Sequence, residues 1–96
     1  MHAFMTLLDQ MKDEKNGAYE YAKCAIKYKS SDPTLADIYI SMARTEMEHY
    51  SKLFGKVERI LSNQSANDDV KSMHEWLKAN TAEELNCMKQ MIESYR

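Results

Sequence analysis

The stretch RTEMEHYSKLF, residues 44–54, decides how this chain is read. It sits inside an apolar stripe that recurs in steps of three and four: Leu35, Tyr39, Met42, then Leu53, Val57 and Ile60. That period is the period of one buried helix face. Glu46 and His49 fall in the same stripe, where leucine is expected. A carboxylate and an imidazole one turn apart on an apolar face need a partner, because burying an unpaired carboxylate is costly.

Outward from this stretch, the pattern predicts three amphipathic helices. The first spans about residues 3–29 and ends at the polar break KSSDP, 29–33. The second spans about 34–62, with Asp32 or Ser31 as its cap and Pro33 in its first turn. SNQSANDD, 62–69, is turn-like, and Ser65 with Asp68 resembles a capping box. The third helix spans about 68–95. The predicted fold is therefore all-α, a single domain over 1–96 built as a three-helix antiparallel bundle. With only 2 Gly and 1 Pro in 96 residues, a turn-rich β fold is disfavoured. A chain this short buries a small core, so a second copy would help it.

Charge and composition narrow the function classes. Acids and bases are interspersed around a formal net charge of −2, which leaves no basic footprint for nucleic acid or an anionic membrane. No apolar run is long enough to span a bilayer, and the N-terminus lacks the layout of a secretion signal. Cys24 and Cys87 are far apart and form no C-x-x-C pair, so free thiols and a cytoplasmic location are expected. The 8 methionines read as fillers of irregular core gaps.

Each helix carries a seam with a polar interruption. The first is Phe4, Leu7, Met11, Glu14, Ala18, Tyr21, Ala25; the third is Val70, His74, Leu77, Thr81, Glu84, Met88, Met91, Tyr95. Folding the first two helices back about their break brings Glu14 level with His49, with Glu46 one turn nearer the break. Folding the third brings Glu84 level with Glu46. Glu14, Glu46, His49 and Glu84 thus converge at one height. Oxygen and imidazole donors suit iron, manganese or zinc, whereas copper(I) is disfavoured because no Cys or Met cluster shares that height. Three carboxylates and one His are about half the ligand set of a two-metal bundle site, so a homodimer or higher homo-oligomer is expected to complete it. His74 lies roughly three turns from Glu84, about 15 Å along the axis, and is expected outside the site. Tyr21, Tyr39 and Tyr50 are expected near the site, as core edges or as hydrogen-bond partners of the ligands.

The pattern Glu14-x-x-Gly17-x-x-x-Tyr21-x-x-x-Ala25, followed by Glu46-x-x-His49-x-x-x-x-Phe54 with Lys52 and Leu53 before the phenylalanine, resembles the first two helices of rubrerythrins and the wider ferritin-like superfamily. The resemblance covers roughly residues 7–60. It implies a ferritin-like half-bundle in which Glu14, Glu46 and His49 bind non-haem iron, mono- or dinuclear. It also implies ferroxidase chemistry or the reduction of peroxide or oxygen. Glu20 is the rival for the first position but points away from the seam. Glu84 rests on seam position alone, with Glu83 as its neighbour and alternative. The chain departs from the family in having no second Glu-x-x-His and no rubredoxin-like pair of C-x-x-C motifs. A half-bundle that dimerises is similar to the short encapsulated ferritins. Two other functions fit the same seam: a helical structural or adaptor protein whose polar positions set partner register, and a metal site that only stabilises the fold.

Overall fold

In the computed structural model, which describes residues 2–64 and 67–95, the chain forms α1 (His2–Tyr28), α2 (Pro33–Ser62) and α3 (Asp68–Glu93). These bounds lie within two residues of the predicted ones, because the breaks carry strong local chemistry. Asp32 caps α2, its Oδ1 accepting from Leu35 N at 3.2 Å, and Pro33 opens the first turn. The cap of α3 is Asn67, whose Oδ1 accepts from Val70 N at 2.8 Å. Ser65, the residue expected to cap α3, lies outside the described residues. Asp68 and Asp69 follow in the first turn, where the helix dipole favours negative charge.

The molecule is a thin, elongated layer, 54 × 21 × 13 Å across its Cα positions. α1 and α2 form a long, intimate antiparallel hairpin, and α3 lies more lightly against both. The hairpin closes tightly because its contact faces carry small residues. Ala18, Ala22 and Ala25 of α1 and Ala36 and Ala43 of α2 are all buried. Without side-chain bulk the two backbones can approach, and each methyl still leaves water. Phe4, Met11, Tyr50, Val57, Leu61, Leu77 and Met88 fill the wider end of the core.

The seams expected on α1 and α3 are largely the ones observed, with Ala22 and Ile92 buried one position beyond Tyr21 and Met91. That of α2 is displaced. Its buried residues are Ala36, Ile40, Ala43, Tyr50, Val57 and Leu61, one position beyond much of the expected stripe. One residue is about 100° of helix rotation. α2 must face α1 and α3 together, so its most buried line runs between its two neighbours. Leu35, Tyr39, Glu46 and Leu53 become the half-buried flank, and Met42 and His49 are exposed. Among the described residues, no helix is long and apolar enough to cross a membrane.

Candidate metal centre

That rotation sets the position of the polar seam residues. Glu14 projects from α1, and Glu46 and His49 project one turn apart from α2. One donor atom from each of the three lies within 4.8 Å of the other two. They are the only three-residue group of this kind among the described residues. His49 Nδ1 is 3.4 Å from Glu14 Oε2, close enough for electrostatic attraction but not aligned as a hydrogen bond. Glu14 Oε2 is buried and accepts no hydrogen bond. Among the described residues, no lysine or arginine pairs with Glu14 or Glu46.

Gly17 completes the arrangement. A Cβ at this position would lie 3.3 Å from both Cδ and Oε2 of Glu46, tighter than ordinary packing. The missing side chain leaves a cradle on α1 in which the Glu46 carboxylate rests. An open cleft of about 320 Å³, lined by Gln10, Asp13, Glu14, His49, Lys52 and Leu53, leads to the group. α3 contributes nothing to this cleft. The His49 side chain is 49% exposed there and that of Glu14 24%.

Glu84 stands apart from the group. Its Oε1 is 3.3 Å from Lys15 Nζ, with both side chains about one-quarter exposed. It lines a second groove of about 260 Å³ between α1 and α3, whose floor includes Met11, Tyr50, Leu77 and Thr81. The level reached by folding back α3 has Lys15, on the adjacent α1 face, as its partner. Because α3 packs on the Tyr50 face of α2 and not on the His49 flank, Glu84 meets a lysine instead of the ligand group. Glu83 is exposed, and Glu20 is exposed beside Lys23 at 3.6 Å.

The remaining polar residues sort themselves by neighbour. His74 Nε2 lies 3.2 Å from Glu58 Oε2 and ties α3 to α2 away from the candidate centre. Tyr50 is buried, which pushes its phenol pKa up, while a hydrogen bond with Thr81 pulls the other way. It belongs to the core under α3. Tyr19 is likewise raised, by burial first and then by Cys87 and Glu84. The Lys15–Glu84 pair and the Tyr50–Thr81 contact were not anticipated from sequence. The available signal was Lys15 itself, a cation on the apolar side of α1.

No family model, curated protein or solved structure matches the chain.

Proposed function

We propose that this protein is a non-haem iron-binding protein of the ferritin-like kind, holding its metal with Glu14, Glu46 and His49. The observation that carries this reading is a converging donor set that, among the described residues, no lysine or arginine pairs with: three ligand-type atoms lie within 4.8 Å, and Glu14 keeps a buried carboxylate oxygen with no hydrogen bond. A cation is the simplest group that satisfies such an oxygen, and the donors present suit iron, manganese or zinc; the resemblance of the two helices to rubrerythrins is what favours iron. The cradle at Gly17 supports the same conclusion, since it keeps the Glu46 carboxylate beside the group.

Within the site, the two carboxylates would supply charge and His49 one neutral nitrogen. Iron bound there would supply redox chemistry toward oxygen or peroxide. The chain's own contribution is to hold the three donors on two tightly packed helices and to leave one side open through the cleft. Three donors leave the coordination incomplete, so a second copy docking over the cleft would supply the rest. The cleft itself is lined mostly by polar residues, and the apolar part of the same flank of α2 lies along the helix toward the α1–α2 turn. Leu35, Tyr39 and Leu53 are half-buried, and Ile38 (53%) and Met42 (38%) are exposed.

The test uses protein purified without a polyhistidine tag. Iron, manganese and zinc are each added to the metal-free chain and the melting temperature is followed. The reading expects a shift for the wild type that is lost in Glu46→Gln and His49→Ala. An equal shift in all three proteins would overturn it. Anaerobic iron(II) loading followed by oxygen separates turnover from a structural site. Ferric absorbance above the buffer control is expected for turnover, and its absence would leave metal binding as the whole function.

A further inference from the structure

Three phenols form a stack in the same α1–α2 hairpin as the candidate centre, and the proposed site does not use them. Tyr39 of α2 stands beside two tyrosines of α1. Its ring centroid is 6.2 Å from Tyr21, with the planes inclined by 25°, and 6.1 Å from Tyr28, inclined by 19°. Tyr21 begins the run one turn after Gly17, roughly 6 Å along the axis by the helix rise. Side chains on a helix lean toward its N-terminus, so Tyr21 leans toward the level at which Gly17 cradles Glu46. Tyr28 ends the run at the α1–α2 turn. There Lys27 Nζ lies 5.4 Å from its ring centroid, while Lys29 Nζ lies over the ring of Tyr95 at 5.5 Å.

We propose that Tyr21, Tyr39 and Tyr28 form a one-electron relay between the Glu14–Glu46–His49 site and the surface at the α1–α2 turn, fed by a small anionic reductant. The proposal rests on the redox reading of that site. Phenols are the side chains here, besides the lone tryptophan and the thiols, that give up one electron and one proton under a strong one-electron oxidant. Consecutive rings at this spacing offer successive stations. Tyr21 passes one electron to the oxidant at the site and its phenolic proton to water. Tyr39 then reduces Tyr21, and Tyr28 reduces Tyr39; each refilled phenol regains a proton as the next gives one up. An ascorbate-type donor at the turn restores Tyr28, supplying one electron and one proton. Each pass takes one electron and one proton from the donor, delivers the electron to the oxidant and the proton to water, and regenerates all three phenols; two passes match the two electrons and two protons by which a peroxide at the site becomes two waters. Lys27, whose ammonium lies over the Tyr28 ring, draws an anionic donor to the end of the run.

The experiment starts the hole without iron. A ruthenium polypyridyl photo-oxidant is coordinated to the exposed imidazole of His49, in the 96-residue chain carrying His2→Gln and His74→Gln. Laser flash-quench then generates the oxidant at the site, and tyrosyl radical absorbance is followed with and without ascorbate. The relay predicts a radical that ascorbate removes rapidly. Tyr39→Phe is expected to keep the radical on Tyr21 and lose the ascorbate-sensitive decay, and Tyr28→Phe to slow it. Tyr21→Phe is expected to lose the radical. Circular dichroism confirms that each variant is folded. Decay in Tyr39→Phe at the wild-type rate, or an undiminished radical in Tyr21→Phe, overturns the relay. Since no iron is present, these results are distinct from a failure of metal binding.

Discussion

Gly17 is the residue at which site and stability conflict. Glycine inside a helix costs about 1 kcal/mol relative to alanine, and here its backbone is ordinary helix. At Gly17 an added methyl group meets only the far end of the flexible Glu46 side chain. The carboxylate can swing away. Gly17→Ala should therefore leave the metal-free protein as stable or more stable, while weakening metal affinity, which calorimetric titration would measure. Gly55 is the control, because a Cβ there meets nothing within 4 Å. Gly55→Ala should stabilise by roughly 0.5–1 kcal/mol with metal affinity unchanged. Glu14 makes the same point from the other side. Its buried oxygen accepts no hydrogen bond, so Glu14→Gln should hold or raise the melting temperature without metal and abolish the shift with it. A fall in the metal-free melting temperature would mean that Glu14 is satisfied by the protein alone.

At the scale of the elements, the helices were legible because Asp32-Pro33 and the polar run to Asn67 punctuate the chain with definite chemistry. The faces of α1 and α3 were largely legible, with only Ala22 and Ile92 buried beside the expected stripes. The face of α2 was not, because it packs substantially against both neighbours and the period alone does not say which side of the apolar arc lies deepest. That displacement brings His49 to the cleft edge, puts Tyr50 in the core, and separates Glu84 from Glu46 and His49. It also has an energetic consequence. Met88, 1% exposed, should cost about 2–5 kcal/mol when truncated to alanine, whereas Met42→Ala should stay within about 0.5 kcal/mol in the monomer. Urea unfolding at low protein concentration compares the two. The docking of α3 also carries a pH signature. Burial raises Tyr50 and Tyr19, and the hydrogen bond Tyr95 donates to Asp37 raises Tyr95, all above the ordinary value of 10.0. A group raised on folding contributes stability that is complete below its unfolded value and lost as pH climbs through the folded one. Stability should therefore fall on the alkaline side above pH 10.0, and Tyr50→Phe should flatten that fall. An unchanged alkaline limb in Tyr50→Phe would place the loss elsewhere.

For the whole molecule, the question is what covers the cleft side of the hairpin. A layer 13 Å thick leaves α1 and α2 open on the side that α3 does not occupy. The candidate centre opens on that side, with Leu53 of α2 at its edge. The convergence of Glu14, Glu46 and His49 could be read from spacing because two antiparallel helices joined by a short turn have little freedom of register. Partnership between chains has no such signature in one sequence. The most direct test of the account is metal content per chain, measured with solution mass on the same tag-free sample. The account predicts about one ion per chain and a mass of at least two chains when metal is bound, both lost in Glu46→Gln. A monomer with far less than one ion per chain, unchanged by that substitution, would contradict it.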